Sequence, residues 1–252
     1  MKMASSHGLL SPAGSTASST TSGIPHGRNL PLPRATPLKP GSKKETALIN
    51  YLDDKLLRIS RRYGKKFSNS ENDKDDSKGY ESFDEVVEDL DPVFSIIWVS
   101  GTPTLQVPYL LTLAGLFCSY MPAFPFSTSM FRLVKRLDEG FAYLLRSSQD
   151  HFASSNRSTY QVSMTDKVRI KSLAEETRVV AVEVASDNAV ELDESESEED
   201  AYASIAVDAQ EHEQETDYVS MSLSKIYRRT IEILGDSLAS VPPRLDNEAA
   251  PG

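Results

Sequence analysis

The side chains able to do chemistry are few and scattered. The four His residues are His7, His26, His151 and His212, each in a polar or low-complexity stretch far from the others. No two fall on one helix face at the spacing a transition-metal site needs. Cys118 is the only Cys, so neither a thiolate cluster nor an internal disulfide can form. Its neighbours in LFCSYM are uncharged, with no cation to lower the thiol pKa, and the expectation is a buried, inert thiol. The chain has no Gly-rich phosphate loop, no GxSxG turn and no HExxH pair. Carboxylates are abundant, but they gather in polar stretches that offer no pocket to tune them. The expectation is a chain with no catalytic, cofactor-binding or metal-ligating residues, and not an enzyme.

Two patterns nevertheless carry charge chemistry. In Ser195-Glu-Ser197-Glu-Glu-Asp200 each serine has an acidic residue three positions later, the preference of acidophilic protein kinases. Phosphate on Ser195 and Ser197 would add about −1.5 to −2 each to a segment already strongly negative. The second pattern is basic: Arg58, Arg61, Arg62, Lys65 and Lys66 crowd the end of the first predicted helix. Positive charge there complements the negative end of the helix dipole. The sharper reading is a patch for nuclear import or nucleic acid, whose mark would be steep salt dependence.

Both patterns flank a much larger feature. From Pro92 to Phe131 the chain runs forty residues with no Asp, Glu, Lys, Arg or His, including the single Trp98. Such a stretch belongs in a core, a membrane or an interface. Trp98, Leu110, Leu113, Phe117, Phe131 and Leu137 are the expected core residues, with Trp98 buried against a helix over 109–121. Pro108 and Pro122 bracket that helix, so its length is about 21 Å against roughly 30 Å of hydrocarbon. A core helix is therefore the first reading of this stretch. Membrane association through 105–126 is the alternative.

Apolar periodicity supplies the other elements. Leu48, Leu52, Leu56, Ile59 and Tyr63 make one stripe over 43–66, opened by Ser42 and Glu45 as a capping box. A second helix resumes near Asp84 and either starts at Asp91 or bends at Pro92 before stopping at Ser100–Pro103. Phe131, Val134, Leu137, Phe141 and Leu144 face inward from a helix over 129–146. Ser163 or Thr165 opens a further helix that runs to about Ala185, its β-prone VVAVEV leaving the end open. A final amphipathic helix covers 218–240.

Composition divides the chain. Residues 1–44 hold six basic and no acidic residues among many Ser, Thr, Pro and Gly, and 187–217 hold thirteen acidic residues with no Lys or Arg. The formal charge of −10 thus reflects the acidic segment rather than the rest of the chain. The expected organisation is a disordered basic tail at 1–42, a helical domain at 43–186 with a polar linker at 67–81, a disordered acidic segment at 187–217, the helix at 218–240 and a disordered tail at 241–252. Residues 1–40 and 187–217 are expected to be removable without unfolding the domain. The two oppositely charged segments should attract only loosely, the acidic one shielding the basic end of helix one. The Ser-rich leader has the composition of a presequence, but Pro and Gly interrupt any amphipathic helix in it.

The fold class is accordingly all-α: a single small domain of five or six helices with long disordered segments. The functional expectation is a non-enzymatic helical adaptor or small subunit of a eukaryotic multiprotein assembly, nuclear or cytoplasmic, without cofactor. Its partners would be proteins, phosphorylation of the acidic segment would regulate it, and nucleic acid or a membrane stands second.

Overall fold

Leu52, Leu56 and Ile59 turn one face of the first helix inward, and helices built on the same principle follow along the chain. The computed structural model describes residues 30–67, 78–149, 160–195 and 217–239; every regular element among them is helical. They are α1 (Lys43–Lys66), α2 (Phe83–Val99), α3 (Pro103–Tyr120) with a 3₁₀ turn at Met121–Ala123, α4 (Met130–Gln149), α5 (Met164–Ser195), α6 (described over 217–224) and α7 (Arg228–Ala239). The apolar α3 is the central member, packed by α2, α4 and α5, while α7 lies on α4 and α5 and α1 lies outside α2.

Leu110, Leu113, Phe117 and Leu137 are inaccessible to solvent, and Trp98 is buried, as the uncharged stretch predicts. Phe131 sits at the edge of the core, half-buried between Phe126 and Tyr218 in edge-on ring contacts. A 21-residue span from Pro103 to Ala123 is long and apolar enough to cross a membrane, but 56% of its apolar window is buried against the other helices. That burial is what a core helix shows.

The prolines interrupt less than expected. α2 runs unbroken through Pro92, and α3 begins at Pro103 and passes Pro108, where a break was expected. In both helices the proline and the residue four before it (Glu88 for Pro92, Thr104 for Pro108) are exposed. The ring therefore points to water, and the carbonyl left without its N–H partner can be hydrated. At the start of α1 the expected capping box is shifted by one residue. Ser42 Oγ accepts from the Glu45 N–H at 3.3 Å, but the Glu45 carboxylate accepts from Gly41 rather than Ser42, at 2.6 Å.

Three further boundaries differ from expectation. α5 continues ten residues past Ala185, to Ser195. Its VVAVEV run stays helical because Ala181 is buried and Val180 and Val184 pack on the core, while Val179 and Val182 face water. The expected single C-terminal helix is two. The chain breaks at Tyr227, whose φ of +50° lies in the left-handed region. Its ring is buried 6.2 Å from Phe141, so packing holds the strained backbone in place.

The third difference lies in the segment expected to be a removable tail. Residues 30–41 form a strap across the α2–α3 junction. The Arg34 N–H donates to Val99 O at 3.2 Å, the Leu38 N–H to Thr102 Oγ1 at 2.9 Å, and Trp98 Nε1–H to Pro31 O at 2.6 Å. Leu38 is buried beneath it. Trp98 thus finds its indole acceptor in the strap and ring partners in Phe94 and Tyr143.

Candidate functional site

The basic residues at the end of α1 are engaged unequally. Arg62 is held by Glu85 at 2.7 Å and Asp89 at 2.6 Å, and its guanidinium lies 4.1 Å from the centre of the Tyr80 ring. Tyr80 donates its hydroxyl to the same Asp89 at 2.8 Å. Burial, then that hydrogen bond, pushes the Tyr80 hydroxyl well above the ordinary tyrosine range, so it remains a donor. Lys66 lies 4.4 Å over the Phe124 ring. Lys65 is half-buried, and Arg58 and Arg61 are exposed. Two of the five predicted basic residues therefore brace α1 against the body of the protein. Ser195 is the last residue of α5, and Ser197 lies outside the described residues, as do His7, His26, His151 and His212. Among the described residues no group of His, Cys, Asp and Glu could hold a metal ion. Cys118 is buried, and burial raises its thiol pKa despite a hydrogen bond with Thr177.

Two surface depressions border α4. The smaller, about 240 Å³, lies between the strap and α4, lined by Pro31, Pro33, Trp98, Tyr143 and Arg146. The larger, about 750 Å³, lies between α4 and the α6–α7 corner. Its apolar lining comes from Phe131, Val134 and Ile226, with Tyr218 at its edge, 57% exposed. Around these stand Arg132 and Lys135 from α4, Lys225 from the turn after α6, and Arg228 and Arg229 from the first turn of α7.

The corner is held by one buried carboxylate. Asp138 on α4 accepts from the Thr230 N–H at 2.8 Å, the Thr230 hydroxyl at 2.7 Å and the Arg229 N–H at 3.3 Å. It thereby caps the first turn of α7 from another helix and meets the positive end of its dipole. Burial raises the Asp138 carboxyl above its ordinary range, and the bonds from Thr230 and Arg229 pull the other way. Arg229 pairs with Glu139 at 3.0 Å and Arg228 with Glu232 at 2.8 Å. Arg132, Lys135 and Lys225 make no ion pair with a carboxylate among the described residues.

Sequence reasoning missed this cleft. It placed only the inward-facing residues of α4 and assumed an unbroken final helix. The signal was the basic run Lys225-Ile-Tyr-Arg228-Arg229, whose charges the break at Tyr227 gathers at one corner.

Comparison with known proteins identifies the family of this bundle. Residues 79–235 match the family model TFB6, described as subunit 11 of the general transcription factor TFIIH. That span begins just before α2 and ends within α7, so it takes in the cleft and leaves out the strap and α1. A relative, an uncharacterized protein of Schizosaccharomyces pombe, is 31% identical over 146 residues, which make up 56% of this chain and 79% of the relative. No solved structure matches the chain. With more than half its length covered, and the covered part being the α2–α7 bundle itself, the chain belongs to the TFB6 family.

Proposed function

We propose that this protein is a small, non-enzymatic subunit of TFIIH that acts in the nucleus by holding protein partners on its helical surface. The observation that carries this reading is the extent of the family match: it spans the packed bundle from residue 79 to residue 235 rather than a tail or a single helix. A family defined over a whole folded body points to a function of that body's surface. The chemistry of the surface is of the same kind. Its clefts are lined by apolar and cationic side chains and include no metal-ligating cluster among the described residues. Phosphorylation of Ser195 and Ser197 belongs to the same reading, as a way of adding charge at the end of α5.

The test is affinity purification of the tagged full-length chain from nuclear extract. Recovery of TFIIH in constant proportion to the chain supports the reading. Recovery of the chain without TFIIH, or with a membrane fraction, overturns it.

A further inference from the structure

We propose that the cleft between α4 and the α6–α7 corner is a docking site for an acidic peptide segment of a protein partner, one that carries an apolar anchor residue. This deepens the preceding reading and rests on it for the claim that the protein works by binding proteins.

Charge and shape argue for this occupant together. Five cationic side chains surround the cleft, against two carboxylates, Asp138 and Glu232. Both acids are committed: Asp138 is buried under the α7 cap, and Glu232 is paired with Arg228. Arg229 is turned to Glu139. Lys135 and Lys225, both exposed, are left to face a ligand, and Arg132, also exposed, is shared with Asp84. They stand around an apolar floor, where Phe131 and Tyr218 meet edge-on with ring centres 6.3 Å apart. Cations alone would suit any anion. Cations around an apolar trough select a chain that alternates acidic and apolar side chains, because a Leu or Phe can enter while flanking carboxylates meet the rim.

A nucleic acid is the poorer fit. The protein as a whole carries −10, and thirteen acidic residues lie between 187 and 217, directly before the α6 wall of the cleft. That field repels a long polyanion such as duplex DNA more than a short peptide.

The experiment uses the purified full-length chain and a fluorescein-labelled twelve-residue probe of Glu and Asp flanking one Phe and one Leu, read by anisotropy at about 50 mM and about 300 mM salt. Binding should weaken at the higher salt. Lys135→Glu with Lys225→Glu should weaken it by about tenfold or more at low salt, and Tyr218→Ser by about threefold. Arg58→Glu with Arg61→Glu, which changes charge equally but on α1, should leave it unchanged. All these side chains are exposed, and unaltered circular dichroism and melting would confirm folded variants.

No binding at low salt, or equal loss from the α1 variant, overturns the proposal. So does equal competition by a duplex of matched charge, which would make the cleft a nucleic-acid site. Binding that appears only after the acids of 196–216 are replaced by Gln and Asn also overturns it, because the occupant would then be the chain's own segment. The peptide assay needs no TFIIH, so failure of the cleft and failure of co-purification with TFIIH are read separately.

Discussion

Gly101 is the position where the smallest change should have the most legible effect. Its φ is +56°, and the strap crosses directly above it. A Cβ built there would lie 2.3 Å from the Arg34 carbonyl oxygen and 2.9 Å from the Arg34 nitrogen. Gly101→Ala therefore incurs two costs. The left-handed backbone costs a non-Gly residue about 1–2 kcal/mol. Relief of the overlap moves the strap by more than a bond's tolerance and breaks the Arg34–Val99 hydrogen bond, worth about 1 kcal/mol. Release of the strap returns some chain entropy, which brings the total down to about 2 kcal/mol. Urea unfolding followed by circular dichroism measures the loss. Because Trp98 is the only Trp and its indole is hydrogen-bonded to the strap at Pro31, emission reports the cause. The expected result is a lower midpoint with a native emission maximum shifted toward that of free indole, reproduced by deleting residues 1–41. A Gly101→Ala protein with wild-type midpoint and emission would refute the strap as a structural element.

Asp138→Ala should destabilise the protein by about 3 kcal/mol, because it strips three hydrogen-bond donors of their acceptor at the buried start of α7; thermal melting checks this. The folded-state pKa of Asp138 is raised, so its protonated form favours the fold, and that contribution is lost as pH rises through the folded value. The stability of the wild type relative to Asp138→Asn should therefore improve as pH falls from neutral toward about 4, near the unfolded aspartate value. Denaturation of the pair across that range gives the sign. Arg62→Ala removes a half-buried double ion pair and should cost about 1–2 kcal/mol, with amide exchange rising in α1 and unchanged in α4 and α7. Cys118 should react with a thiol reagent about a hundredfold more slowly in the native protein than in urea, because it is buried and its thiol pKa is raised.

How much of this was legible depended on whether the cause was local. The stripe of Leu52, Leu56 and Ile59 and the inward run of Val134, Leu137 and Phe141 are local facts of spacing, and both helices lie where the spacing puts them. The uncharged stretch identified the core for the same reason. Pro92 and Pro108 misled because the cost of a helical proline depends on which way its ring faces, and only packing decides that. The strap was illegible because its hydrogen bonds link residues 31–38 to residues 98–102, and Ser/Pro-rich composition signals only the absence of a core of its own. The cleft needed the break at Tyr227, where a non-Gly residue takes a positive φ to bury its own ring. Arg62 shows the same limit from the other side: its charge was legible, but its commitment to Glu85 and Asp89 was not.

Membership in a TFIIH assembly is tested most directly by sedimentation of nuclear extract through a glycerol gradient, with the endogenous chain and TFIIH followed fraction by fraction. A chain of this family working as a subunit should co-sediment with TFIIH, and should leave those fractions when TFIIH is immunodepleted. A chain found wholly at the size of the free protein, with a profile unmoved by depletion, would contradict the account.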